Sequence, residues 1–238
     1  MPLELRLILC QQIQRQYFGH WGVGKTNYGW IIIVKILGIC GSPRKKSSYA
    51  ALQAALQAAE TEGDVQTELV ELRARKMKPC VHCNKCLRDE SDRCTVFTDD
   101  MTELYDKFYE ADGIIIASPV YEMSVTAQLS TFFSRFRSAW MISVKDPYFF
   151  MKKVGAAIVV GGTRNGGQEF ALQTIVNFYN TQGMTICNGG SGIYSGAALW
   201  SPGDGSQTMD DEIGMENARN LGKKMAVMTK IMKYTDVI

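Results

Sequence analysis

The chain has 238 residues, 46% of them hydrophobic, and a formal net charge of +2. That length suffices for one α/β domain with a substantial core. The near-balance of 26 Lys and Arg with 24 Asp and Glu leaves no basic stripe for nucleic acid and no charge run of the kind that makes a disordered tail.

Residues 3–9 place Glu4 and Arg6 among Leu and Ile, so no clean apolar signal core forms. The apolar run 30–40 is interrupted by Lys35 and is too short to span a bilayer, so no membrane association is expected. Gly19-His-Trp-Gly-Val-Gly-Lys-Thr26 matches a Walker phosphate pattern letter for letter. Such a loop needs a buried strand before it and a helix after it. Here polar residues 11–16 precede it and β-branched residues follow, so a nucleotide site is rejected. Residues 1–34 are read as an N-terminal extension outside the core fold. Val34 can be encoded by GTG, an alternative start codon, and the extension is expected to be dispensable; the alternative is an arm that packs on a neighbouring subunit through Leu5, Leu7, Ile8, Tyr17, Phe18 and Trp21.

From residue 35 to 238 the pattern becomes regular. Residues 35–40 are a short apolar run ending in a turn, as in a buried parallel strand. Residues 47–61 predict a helix with Tyr49, Leu52, Leu56 and Ala59 on one face. Residues 65–72 alternate as a strand. Residues 99–110 predict a helix whose early acids suit its dipole. Residues 113–118 are the third strand. Residues 124–140 predict a helix with Val125, Leu129, Phe132, Phe133, Phe136 and Trp140 on one face. A strand at 154–160, a helix at 168–181, a fifth strand at 184–187 and a closing helix at 210–233 complete the series, with a Pro/Gly loop at 201–206. Alternating strands and helices predict a five-stranded parallel sheet covered on both faces. Its doubly wound order would be 2-1-3-4-5, with a ligand at the carboxyl ends of the strands flanking the switch point.

Between the second strand and the following helix, a loop at about 78–97 carries Cys80, Cys83, Cys86 and Cys94, written C-x2-C-x2-C-x7-C. Three thiols at spacings of three are poorly placed for mutual disulfides. They can converge on one inorganic core, and such a run plus a fourth Cys is the usual wrapping of a cubane cluster. Structural zinc also accepts four thiolates, but its sites usually come as two separated C-x2-C pairs. His82 reads as loop filler, because four cysteines complete the set. Cys10, Cys40 and Cys187 are scattered, which argues against a secreted disulfide framework. Reduced thiols favour the cytoplasm.

Three loops fall at predicted carboxyl ends. Gly41-Ser-Pro-Arg-Lys-Lys-Ser-Ser48 leads into a helix N-terminus and supplies hydroxyls and cations for a terminal phosphate. Ser118-Pro-Val-Tyr-Glu-Met-Ser124 is stiffened by Pro119, and Tyr121 can lie beside a flat ring. Gly161-Gly-Thr-Arg-Asn-Gly-Gly-Gln168 lets backbone approach a ligand closely.

With these motifs the region from Lys35 onward resembles the iron–sulfur flavoproteins, in the NADPH-dependent FMN reductase branch of the flavodoxin-like fold. Gly41-Ser-Pro-Arg-Lys is similar to that family's phosphate loop, Ser118-Pro-Val-Tyr to its second flavin loop, and the cysteine set to its cluster signature. The resemblance implies that Ser42, Arg44, Ser47, Ser48 and Tyr49 surround the phosphate of FMN. It implies that Pro119, Val120, Tyr121 and Ser124 line the ribityl chain and ring, with Gly161, Gly162 and Gly166 on the ring's other side. Cys80, Cys83, Cys86 and Cys94 would hold a [4Fe–4S] cluster. Relatives often carry Asn and Thr where this chain has Ser48 and Tyr49. The implied function is an electron-transfer oxidoreductase passing electrons between cluster and FMN. The implied partners are a ferredoxin-like donor and a small-molecule acceptor, in a homodimer or homotetramer. Lys85, Arg88 and Arg93 flank the cysteines, as cations that stabilise a reduced cluster or as an ordinary solvated loop. Rival readings are an NAD(P)H-dependent flavin or quinone reductase with structural zinc, and a cluster-based redox sensor.

Overall fold

The structure, a computed structural model, describes residues 33–203 and 208–234. The Walker-like segment and nearly all of the N-terminal extension lie outside the described residues. Val34, assigned to that extension from sequence, opens the first strand: it is fully buried and pairs with Val65.

Five lanes of parallel sheet form the centre. β1 (Val34–Cys40) is followed by α1 (Ser47–Glu60), β2 (Val65–Glu71), a short α2 (Lys85–Arg88) in the cysteine loop, α3 (Met101–Glu110) and β3 (Gly113–Pro119). Next come α4 (Ala127–Arg135), a 3-10 turn (Phe136–Ala139), α5 (Trp140–Lys145), β4 (Val154–Gly161) and α6 (Gln168–Gln182). The chain closes with β5 (Thr185–Ile186), β6 (Ala197–Trp200), a 3-10 turn (Thr208–Asp210) and α7 (Glu212–Tyr234). The order is β2-β1-β3-β4-β5, as the alternation predicts. β3 and β4 read as unbroken apolar runs because helices cover both of their faces.

Two differences from the sequence reading have physical causes. The fifth strand is only two residues long, and its lane along β4 is completed by β6. Thr185 and Ile186 pair with Val154 and Gly155, whereas Ala197–Trp200 pair with Ile158–Gly161. A local pattern cannot show that a lane is shared by two segments. The helix expected at 124–140 starts at Ala127 and breaks at Phe136. A 3-10 turn advances about 120° per residue rather than about 100°. That change of phase carries Trp140 off the core face, and it is 64% exposed.

The core has two layers. α3, α4 and α6 cover one face, with Phe108, Phe132, Phe136 and Tyr179 among the fully or almost fully buried side chains. α1 and α7 cover the other, through Leu52, Ala55, Leu221 and Met225. They cross where Gly222 meets the backbone of Ala55, so closely that any Cβ on Gly222 would collide with it. Each fully buried Leu, Ile or Phe contributes roughly 1.5–3 kcal/mol. Among the described residues no helix is long and apolar enough to cross a membrane.

Candidate functional site

The carboxyl ends of β1, β3, β4 and β6 carry four loops tied to one another through backbone groups. Gly41 N–H donates to the carbonyl of Ala117, and Val120 N–H to that of Val160. Ser201 N–H donates to the carbonyl of Gly161. Thr126, the N-cap of α4, donates through Oγ1 to the Gly41 carbonyl at 2.7 Å and accepts from Leu129 N–H at 3.3 Å.

The first loop turns sharply because Ser42 Oγ accepts the Arg44 N–H at 3.1 Å. Ser42 and Ser48 are buried, and Arg44 is exposed at the mouth. Ser47 opens α1, so this loop feeds straight into a helix N-terminus whose first N–H groups lack intrahelical partners. Ser47 Oγ donates to Ser201 Oγ at 3.1 Å, bringing the loop after β6 to the same spot. The Tyr49 ring lies 4.5 Å beneath the Lys45 ammonium.

In the second loop Pro119 and Val120 are half-buried and Tyr121 is exposed. Tyr121 and Ser124 exchange two backbone hydrogen bonds across Glu122 and Met123, which have φ of 48° and 60°. Left-handed φ at two residues with side chains costs roughly 1–3 kcal/mol each. The turn rests on the third loop, where a Cβ on Gly167 would touch Met123. Ser124 Oγ lies 3.4 Å from Thr174 Oγ1 on α6.

The glycines of the third loop serve different ends. The side of Gly161 that would carry a Cβ is filled by the Gln168 amide, and that of Gly166 by the Thr163 hydroxyl. Only at Gly162 is the space free of neighbours within 4 Å. Buried Gln168 holds the loop from within: its Oε1 accepts the Gly166 N–H at 2.8 Å, and its Nε2 donates to the Thr163 carbonyl. Trp200 adds a wall, donating through Nε1 to the Gly162 carbonyl at 3.2 Å, with the Arg164 guanidinium 4.8 Å from its ring.

Cys80, Cys83, Cys86 and Cys94 all line one small cavity, together with Val81, Phe97 and two arginines, Arg135 and Arg137. None of the six described cysteines forms a disulfide. Left-handed residues at His82 and Asn84 turn the chain between successive thiols. Arg137 holds Asn84 in that conformation with two bonds to its Oδ1, at 2.9 and 2.6 Å. His82 is exposed, and its N–H donates to Cys80 Sγ at 3.4 Å. Burial pushes the Cys86 thiol up, a backbone hydrogen bond opposes this, and the charges of Cys94, Cys80 and Cys83 push it further up. Among the described residues no three His, Cys, Asp or Glu side chains gather about one point as a single ion requires. Cys40 and Cys187, both pushed by burial to about 11, are inert core thiols.

The cations expected from sequence beside the cluster are largely engaged elsewhere. Lys85 pairs with Asp89, and Arg93 with Asp92 and Asp106. Arg88 donates to the Cys83 carbonyl at 2.9 Å. Arg135 and Arg137 face the cavity instead, from a helix and turn some fifty residues away in the chain. Nothing near the cysteines in sequence points to them.

α4 joins the two regions. Thr126 at its start belongs to the loops at the carboxyl ends of the strands, and Ser134 and Arg135 at its end hold the cysteine loop. Ser134 Oγ accepts the Cys80 N–H at 3.1 Å, and Arg135 donates to the Lys78 carbonyl at 2.9 Å. Nine helical residues span about 13 Å at about 1.5 Å per residue.

A parallel sheet of this order, with its loops gathered at the switch point, defines a flavodoxin-like protein. The sequence model of the NADPH-dependent FMN reductase family matches residues 34–197. An iron–sulfur flavoprotein of Methanocaldococcus jannaschii is 39% identical over 204 residues, covering 84% of this chain and 100% of the relative. One of Archaeoglobus fulgidus is 40% identical over 199 residues, covering 83% of this chain and 98% of the relative. Among solved structures, the flavodoxin, WrbA-like protein of Agrobacterium tumefaciens shares the fold with a TM-score of 0.53 at 17% identity, covering 83% of this chain and 98% of that one. The chain belongs to the iron–sulfur flavoproteins: it is an FMN-dependent oxidoreductase whose cofactors are FMN and an iron–sulfur cluster.

Proposed function

We propose that this protein passes electrons between a [4Fe–4S] cluster held by Cys80, Cys83, Cys86 and Cys94 and an FMN held at the carboxyl ends of the strands. The donor would be ferredoxin-like and the acceptor a small molecule, in the reducing cytoplasm, with the protein a homodimer or homotetramer. The observation that carries this reading is α4, which ends in the flavin-type loops on one side and in the four-cysteine cavity on the other. The cluster supplies one-electron exchange and FMN supplies storage of one or two electrons, which is chemistry the protein positions but does not itself perform.

The chain's own residues bind and orient. Ser42, Ser47, Ser48 and the first turn of α1 offer hydroxyl and N–H donors to a phosphate, and Arg44 offers a charge; Tyr49, occupied by Lys45, borders them. Pro119, Val120, Tyr121 and Ser124 form a turn whose tight geometry fixes one side of a flat ring. Gly162, with open space at its missing side chain, admits the other side, while Gly161 and Gly166 let Gln168 and Thr163 brace that loop from below.

Protein purified without oxygen tests the assignment. It should contain FMN, iron and acid-labile sulfide, with flavin absorbance over a broad shoulder that dithionite bleaches. Reduction by a one-electron ferredoxin-type donor should outpace reduction by NADPH. Zinc without iron would overturn the cluster assignment, and faster reduction by NADPH would overturn the proposed donor.

A further inference from the structure

We infer that Arg135 tunes the redox potential of the cluster, donating its Nε–H to the sulfur of the core that the four cysteines hold. The inference rests on the ligand assignment just proposed and adds a residue that is not a ligand.

Arg135 ends α4, and its side chain is 1% exposed. One terminal nitrogen is fully used, donating to Asp99 Oδ2 at 2.6 Å and to the Lys78 carbonyl at 2.9 Å. These two partners stand at the two ends of the cysteine loop, so Arg135 clamps it shut. The clamp does not need Nε. That atom is buried and has no hydrogen-bond partner among the described residues, although Arg135 lines the cavity shared by the four cysteines. A buried donor left unpaired is destabilising. Such a group in a well-packed wall calls for an explanation, and an unrepresented acceptor is one. Sulfur atoms of an iron–sulfur core are acceptors, and hydrogen bonds to them shift its potential. Phe97, 5.3 Å from the guanidinium, covers the clamp and keeps the local dielectric low.

The direction of the effect follows from charge. Reduction makes the core more negative, so an N–H donor stabilises the reduced form and raises the potential. Asp99, whose side chain is 9% exposed, already balances the guanidinium charge. The effect should therefore be that of a directed hydrogen bond rather than of a net positive charge.

Arg135→Lys in the holoprotein keeps a cation for Asp99 and removes the Nε–H. The cluster midpoint potential, read by EPR-monitored titration, should shift to lower values. The FMN potential, read optically in the same sample, should stay in place, and the iron content should equal that of the wild type. Full iron with an unmoved cluster potential would overturn the inference. In case the variant loses iron, wild-type holoprotein carrying 15N at arginine Nε gives an independent reading. Pulsed EPR of the reduced cluster should show a 15N coupling, and its absence from iron-replete protein would overturn the inference. Iron that survives loss of Cys86 would instead overturn the ligand assignment, a failure separable from an unmoved potential in iron-replete protein.

Discussion

The side chain of Thr126 and the main chain of Gly41 lock together at the switch point. Thr126 Oγ1 donates to the Gly41 carbonyl at 2.7 Å in a wholly buried bond, eighty-five residues apart in sequence. Gly41 in turn packs so tightly on Leu129 that an added Cβ would lie 3.1 Å from the Leu129 Cβ. The phosphate-type loop thus depends on the start of α4, the same helix that ends at the cysteine loop.

Thr126→Val should remove that bond and the N-cap of α4 at almost constant volume. A loss of about 1–3 kcal/mol is expected, since a buried carbonyl is left unpaired and a cap is lost. Urea unfolding of the apoprotein measures it. FMN affinity, measured by fluorescence quenching, should fall with it. Unchanged stability would show that the loops do not depend on this contact.

Arg44→Ala separates phosphate recognition from ring recognition. A charge-assisted hydrogen bond of roughly 1.5–3 kcal/mol is lost only where a phosphate accepts it. FMN binding should weaken roughly ten- to a hundredfold, while riboflavin binding stays within error. Equal weakening of both ligands would move the phosphate away from Arg44.

Cys86→Ala should remove most of the iron while FMN stays bound in stoichiometric amount. Cys86 is the most buried of the four thiols, and the two cofactor regions sit on separate loops at opposite ends of α4. Iron analysis and the flavin spectrum of the same preparation read both halves. Iron retained at the wild-type level would remove Cys86 from the ligand set.

Lys153→Met tests a buried cation at the opposite end of the sheet. Lys153 is 7% exposed. It donates to the carbonyls of Tyr109 at 2.7 Å and Ala111 at 2.6 Å, at the end of α3. Burial pulls its ammonium down from 10.5 to about 8, against Asp112 and with help from Lys233. The folded value lies below the unfolded one, so between about 8 and 10.5 the unfolded chain binds more protons. Wild-type stability therefore gains as pH rises through that window, and the gain is absent below it. The variant should lose about 1–3 kcal/mol by stranding two carbonyls. Its deficit relative to wild type should be smallest near pH 7 and should widen toward pH 10. Urea midpoints at both pH values measure this, and a deficit that narrows would reverse the sign of the shift.

How much of this could be read without coordinates depends on the range of each interaction. β1, β3 and β4 are visible in sequence because both faces are buried and leave short unbroken apolar runs between turn residues. The switch-point order follows from strand–helix alternation and the handedness of crossovers, which are local and general. The cysteine spacing points to one shared inorganic core because three thiols so close together have few other uses.

Other features are set by contacts between distant segments, on which a local pattern is silent. Trp140 has the right spacing for a core face, but the 3-10 turn at Phe136–Ala139 rotates it into solvent. Ala197–Trp200 completes the lane that Thr185–Ile186 begins and brings Ser201 to the loop after β1, a pairing visible only once β4 is in place. Lys85 and Arg93 stand beside the cysteines in sequence yet turn to acids on the surface, where their charges stay hydrated. Arg135 reaches the cavity from α4 because it is held by Asp99 and Lys78 on either side of the loop. Sequence alone determined the thiol spacing and the loop chemistry offered at the strand ends; tertiary packing decided which cation is buried beside the four cysteines, because desolvating a guanidinium requires partners that only the folded chain brings together.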